Sequence, residues 1–288
     1  MTTKPSETLG VLSRERARAE FVRLCEAGEE GMRLDVALLL IASEETGTVD
    51  IGANLRFLDR LAERFAESFP SDAREVEQLA ALAEFLFVKE NYRGNQEAYY
   101  DLRNSFFNDV IDRRRGIPIT LSVLAMEVAR RVGMPMVGIG FPGHFLASTV
   151  AESGLYLDGF RDGQLLRRED CRELLRGLSG GNVEMKFSDL APVTDAQIVG
   201  RVLQNIKGIY LRQQNLEGAV SAVDRILTVF PDAHGLLRER GLIYLQLGAF
   251  SYAVEDLGAY LRLASDPPDV ETISAALERA EKKARLLL

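Results

Sequence analysis

Sulfur and imidazole are scarce in this chain. Its 288 residues include two cysteines, Cys25 and Cys171, and two histidines, His144 and His234. Cysteines 146 positions apart build neither a disulfide framework nor the paired spacing of a zinc site. No metal and no cofactor is therefore expected. Positive charge is also in deficit, with 35 Lys and Arg against 43 Asp and Glu, a formal net charge of −8. Binding through phosphates needs a broad basic surface. The basic clusters here, Arg113–Arg115, Arg130–Arg131 and Arg167–Arg168, are short and lie beside acids or on helix faces. Nucleic acid is not an expected partner. Long apolar runs are missing as well. Val36–Ile41 and Phe85–Val88 are the longest, against the roughly 20 residues of a membrane span. Met1–Gly10 lacks the apolar core of a signal peptide. Together these absences point to a reducing cytoplasm, away from membranes.

What is present is ordinary globular material. Hydrophobic residues make up 47% of the chain, enough for a real core, and the length suits two domains. The first 90 residues read as helical. Phe21, Leu24 and Cys25 share one face, as do Leu34, Ala37, Leu38 and Ile41, and Gly28 and Gly31 separate the two helices. Phe57, Leu61 and Phe65 predict a helix over 54–68, stopped by Pro70, and Leu79, Leu82 and Leu86 predict another. Asn104 is placed to cap a helix carrying Phe107, Val110 and Ile111 and ending at Gly116. Pro118 opens the next, where its missing N–H costs nothing. Leu121, Leu124, Ala125, Val128 and Val132 give that helix one apolar face.

The pattern then changes to sheet. Met136–Phe141 is a short run of β-formers, and His144–Val150 and Leu155–Phe160 flank the turn Ala151-Glu152-Ser153-Gly154. Asp162-Gly163 is a second turn, and 168–178 returns to helix, closed by Gly180-Gly181. The last third repeats itself. Ile209-Tyr210-Leu211 recurs as Ile243-Tyr244-Leu245, Ala219 as Ala253 and Val223 as Leu257, each 34 residues on. Pro231-Asp232 aligns with Ser265-Asp266, just before Pro267. A 34-residue helix-turn-helix period is the tetratricopeptide (TPR) signature. An amphipathic helix near 270–287 is expected to cap the array.

Candidate chemistry gathers on His144. It lies in Phe141-Pro142-Gly143-His144-Phe145-Leu146, and Asp158 ends the next strand, 14 residues on across a hairpin. A suitable register would set imidazole and carboxylate side by side, and a carboxylate on one ring nitrogen fixes the tautomer. Such a pair, with a preceding helix whose N-terminus is exposed, is the frame of papain-like and transglutaminase-like enzymes. There the helix N-terminus normally carries a cysteine whose thiolate the dipole stabilises. Here the helix begins Arg115-Gly116-Ile117-Pro118-Ile119-Thr120-Leu121-Ser122, without one. His234, in a polar stretch between repeat helices, reads as solvated surface.

Several blocks occur in order: Asn91-Tyr92-Arg93-Gly94-Asn95, Tyr100–Val110, Gly116–Ser122 and Pro142–Leu146, with Leu34–Ala42 before them. In these the chain resembles the SirB-type family of bacterial transglutaminase-like proteins with a C-terminal TPR segment. The resemblance spans roughly residues 30–265. It implies an α+β fold: a helical N-terminal extension (1–30), a transglutaminase-like domain with a small antiparallel sheet (31–190), and TPR hairpins with a capping helix (195–288). It also implies that His144 and Asp158 match the transglutaminase His and Asp, and that the nucleophile position falls near Pro118, which cannot act as one.

Thr120 is the candidate substitute nucleophile, against a plain role in first-turn hydrogen bonding. Asn95, Asn104, Asn108 and Tyr100 are candidate cleft residues, against the alternative that the amides satisfy loop backbone. Cys25 and Cys171 share faces with Phe21 and with Leu174 and Leu175, and read as core. Two functions follow. One is noncatalytic binding of a protein or peptide partner. The other is amide-bond hydrolysis or transfer with His144 as base, Asp158 as orienter, and Thr120 or water as attacker. The oligomeric state is not encoded in any visible pattern.

Overall fold

Capping side chains set the first helices. Ser13 Oγ accepts from the Arg16 N–H (3.3 Å) and opens α1 (Arg14–Glu26). A single turn, α2 (Gly28–Gly31), leads into α3 (Leu34–Thr46). In α3 every residue from Leu34 to Ser43 is buried, so it runs through the core rather than across it. Asp50 Oδ1 accepts from the Ala53 N–H at 2.8 Å and caps α4 (Ile51–Glu67), whose Leu55, Leu58, Leu61 and Phe65 face inward. α5 (Glu75–Ala83) continues as a π-helical turn, Glu84–Lys89, that buries Phe85, Leu86 and Phe87. The computed structural model describes residues 10–68, 74–150, 154–264 and 268–286. The expected stop at Pro70, the turn at 151–153 and the Ser265-Asp266-Pro267 segment lie outside them.

The stretch after α5 departs from expectation. β1 (Arg93–Gly94) pairs in parallel with β2 (Arg115–Gly116). Asn104 caps nothing. It ends a 3₁₀ turn, Leu102–Asn104, and α6 (Phe107–Arg113) starts after Phe106 instead. The reason is that Asn104 Oδ1, the atom that would cap, accepts from Asn95 Nδ2 (2.9 Å), while Nδ2 donates to the carbonyls of Ala98 (2.7 Å) and Tyr99 (3.2 Å). α6 ends at Arg114, in the left-handed region at φ 54°, rather than at Gly116. Pro118 does take the first position of α7 (Pro118–Arg131), and α7 is buried without a break from Pro118 to Ala129.

α7 packs on a five-stranded antiparallel sheet. Its strands are β3 (Met136–Ile139), β4 (Leu146–Thr149), β5 (Tyr156–Asp158), β6 (Gln164–Leu166) and β7 (Pro192–Val193), in the order β6-β5-β4-β3-β7. β4 starts two residues later than the sequence suggests, so His144 sits in the turn before it, where its N–H donates to Phe141 O (3.0 Å). β5 is likewise shorter, because Asp158 caps a 3₁₀ turn, Gly159–Arg161, that takes Phe160 out of the strand. β6 and β7 carry no strong alternation and were not expected. α8 (Arg168–Ser179) lays Cys171, Leu174 and Leu175 against Ile139, Phe141, Leu146 and Leu166.

One ion network is buried among these helices. Asp35 on α3 is fully enclosed and takes Arg33 (2.9 Å) and Arg131 (2.6 Å), while Arg131 also reaches Glu127 (2.6 Å) and Asp59 (2.8 Å). Burial alone would raise the Asp35 carboxyl, but Arg33 and Arg131 outweigh it and hold the pKa at about 2.

The chain divides into two compact units, Met1–Val202 and Leu203–Leu288. α9 (Asp195–Arg212) begins in the first and ends in the second. The second unit continues with α10 (Leu216–Val229), α11 (Gly235–Leu247), α12 (Phe250–Leu263) and α13 (Val270–Arg285). Small residues bring these helices together. Ala219 and Ala253, equivalent in the repeat, are both fully buried, and a Cβ on Gly241 would meet Leu257 at 2.8 Å. Arg240 ties three helices, bonding Asp224 (2.6 Å) and Asp256 (2.7 Å). No helix among the described residues is long and apolar enough to cross a membrane.

Candidate functional site

The site is built where β4 and β5 meet. Ala147 pairs with Leu157, so one step further Asp158 lies across from Leu146, two residues from His144. That diagonal is within reach of a long side chain. His144 Nε2 and Asp158 Oδ2 are 2.9 Å apart, with both side chains buried. The other carboxylate oxygen, Oδ1, accepts the N–H groups of Phe160 (3.1 Å) and Arg161 (3.2 Å). Asp158 therefore cannot swing away without leaving three groups unpartnered. In the neutral ring the proton sits on Nε2, facing the carboxylate, and Nδ1 is left as a lone-pair base. Among the described residues nothing bonds Nδ1.

Aromatic rings wall the imidazole. The edge of Phe160 meets His144 with centroids 6.1 Å apart, and Tyr99 meets Phe160 at 5.7 Å. Tyr100 stands edge-on to Tyr99 at 5.2 Å and is exposed. Phe160 is fixed from behind by β1. A Cβ on Gly94 would fall 2.5 Å from both the Phe160 ring and its carbonyl oxygen, so only glycine allows this approach.

The asparagines shape the loop that carries the tyrosines. Asn95 Nδ2 donates to Asn104 Oδ1 (2.9 Å), and Asn95 Oδ1 accepts the Ala98 N–H (3.2 Å). Asn104, fully buried, holds the Ala98 and Tyr99 carbonyls. Asn108 lies on α6, and its buried Oδ1 has no partner among the described residues. Thr120 is fully buried. Its hydroxyl donates to Asn104 O (2.9 Å) and accepts the Ile117 N–H (3.1 Å), linking the loop to the head of α7. Burial pushes the thiol of half-buried Cys25 up to about 11 and that of Cys171, in an apolar cluster, up to about 12. Among the described residues no cluster of His, Cys, Asp and Glu has the makings of a metal site.

Three residues of this site were not singled out from sequence. Tyr99 was hidden beside Tyr100 in a Tyr-rich segment, and Phe160 was assigned to a strand. Arg201, on the first half of α9, donates from Nη2 to the carbonyls of Phe141 (2.9 Å) and His144 (2.5 Å). It lies 57 residues beyond His144, and no local pattern marks it.

Comparison with known proteins agrees with this architecture. Residues 53–204 match the transglutaminase-like superfamily and residues 206–278 match a tetratricopeptide repeat. A UPF0162 protein of Xylella fastidiosa (strain 9a5c) is 38% identical over 262 residues, covering 88% of this chain and 92% of its own length. One from Vibrio cholerae is 28% identical over 233 residues, 80% of this chain and 86% of that protein. One from Pseudomonas aeruginosa is 28% identical over 241 residues, 84% and 88% respectively. With a transglutaminase-like domain, TPR helices and relatives alike along most of their length, the chain belongs to the UPF0162, or SirB-type, family.

Proposed function

We propose that this protein is a noncatalytic binding protein, which holds a protein or peptide segment in the His144 site and uses its TPR helices for protein interaction. The observation that carries the reading is the head of α7. The family resemblance implies a nucleophile position near Pro118, where no cysteine stands, and the Thr120 hydroxyl there is buried and engaged at both ends. A hydroxyl without a base beside it is a poor nucleophile in any case. Cys25 and Cys171 are held far from the thiolate form by burial. What remains is an imidazole with one nitrogen fixed and one available, walled by Phe160 and Tyr99. That is a hydrogen-bonding, aromatic-lined contact surface, the usual make-up of a small recognition site.

One observation favours a second reading. Nδ1 of His144 is without a partner among the described residues and Asp158 is rigidly held, so the ring could act as general base on a water attacking an amide. The two readings separate in one experiment. The full chain is incubated with a broad peptide panel, and peptide cleavage, ammonia release and amine incorporation are followed beside binding. Saturable binding with no turnover, weakened by His144→Ala, is the expected result. Turnover that His144→Ala abolishes would sink the noncatalytic reading in favour of hydrolysis or transfer.

A further inference from the structure

Several partly buried arginines of this protein are paired with acids, as in the Asp35 network and at Arg240. Arg201 differs from these. It is partly buried, yet no carboxylate bonds it among the described residues, and it bonds only carbonyls through Nη2. Its guanidinium also covers the Phe145 ring at 5.4 Å. Neither Nη1 nor Nε has an acceptor among the described residues. Burial disfavours its charge. Those two donors are not sealed from solvent, so a half-buried guanidinium without a carboxylate partner keeps them accessible to an arriving anion.

Its place matters as much as its chemistry. Arg201 grips the backbone of His144 itself. Tyr99 packs on Phe160, and Phe160 packs on His144. The cation is fastened to the backbone of the residue that carries the imidazole. The two carbonyl contacts hold the guanidinium still, so little rotamer freedom is lost when an anion arrives.

We propose that Arg201 is the anion anchor of the His144 site and that the peptide bound there presents a carboxylate to it, from its C-terminus or from an acidic side chain. This rests on the peptide-binding reading above and names the charge such a ligand carries. A carboxylate suits the position because one negative charge balances the single guanidinium, and Nη1 can still donate to its oxygen. Peptides without a carboxylate would leave the cation uncompensated.

The test uses the two histidines. Full-length protein labelled with ¹⁵N-histidine gives ring signals from His144 and His234 only, and His234, outside the site, serves as internal reference. Three pools of acetylated tetrapeptides are titrated: amide-ended and uncharged, carboxylate-ended, and amide-ended with an internal Glu. Inorganic phosphate is titrated in parallel. The expected result is a saturable shift of His144 alone, at tenfold or more lower concentration for at least one carboxylate pool than for the uncharged pool. Which carboxylate pool responds identifies the source. Arg201→Gln should bring the three pools to equal response, whatever its effect on absolute affinity, and Arg201→Lys should keep part of the preference. Should Arg201→Gln fail to fold, the wild-type preference and the lysine variant still decide. Equal response to all three pools, or a tighter response to phosphate than to either carboxylate pool, overturns the anchor and leaves peptide binding standing. No response to any pool overturns both.

Discussion

Replacing Asp158 by asparagine changes charge while nearly keeping shape, and the structure says which way the amide will turn. Asp158 Oδ1 accepts two backbone N–H groups, and Oδ2 faces one imidazole nitrogen. Asparagine has one oxygen. Pointing it at the two N–H donors satisfies both and aims the NH₂ at His144 Nε2. The opposite flip would set the NH₂ against two donors, so it is disfavoured. Nε2 must then accept, and in the neutral ring the proton moves to Nδ1. Asp158→Asn thus inverts the tautomer and removes the lone pair at the open nitrogen. Three charge-assisted bonds become neutral ones, at about 1–2 kcal/mol in all. Asp158→Ala leaves two N–H groups and a ring nitrogen without partners in a buried place, for about 3–5 kcal/mol. Urea unfolding reads the energies, and ¹⁵N chemical shifts of the His144 ring read the tautomer, with His234 as reference. If Asp158→Asn keeps the wild-type tautomer, or costs as much as Asp158→Ala, the bonding scheme is wrong.

Other expectations follow from the same geometry. Because Asp35 is held at about 2 in the folded chain against an ordinary 3.8, its contribution is complete above pH 4–5 and is lost as the pH falls toward 2. It is of the order of 2 kcal/mol, so Asp35→Asn should lower stability at pH 7 and flatten the acid limb of a stability–pH curve; an unchanged limb would count against the network. Iodoacetamide at pH 8 should modify both cysteines more slowly than free thiol, with fully buried Cys171 the slower of the two. Faster alkylation of either would reopen thiol chemistry. Gly94→Val forces a Cβ against the Phe160 carbonyl and should cost about 1–3 kcal/mol, while weakening peptide response at His144. Gly241→Val should cost a similar amount by wedging α11 from Leu257; a gain in melting temperature would contradict the close helix approach.

Much of this was written in local pattern. The Pro118 start of α7, the small residues of the 34-residue repeat and the turn at Asp162-Gly163 depend on neighbours a few positions away, where helix period, caps and turn chemistry speak directly. Asn104 misled because it is a good cap residue whose amide the loop had already claimed. β6 and β7 were invisible because strands of two or three residues owe their existence to partners across the sheet.

The sequence by itself determined the classes of structure, helical unit then small sheet then repeat, and the two side chains able to pair. It also shows no cysteine near Pro118, where the family resemblance implies the nucleophile position. Only tertiary structure decided that Asp158 meets Nε2 rather than Nδ1, that Phe160 leaves its strand to wall the ring, and that a guanidinium 57 residues away is fastened to the His144 backbone. Those outcomes hang on strand register and on contacts between elements distant in the chain, and no local propensity records them.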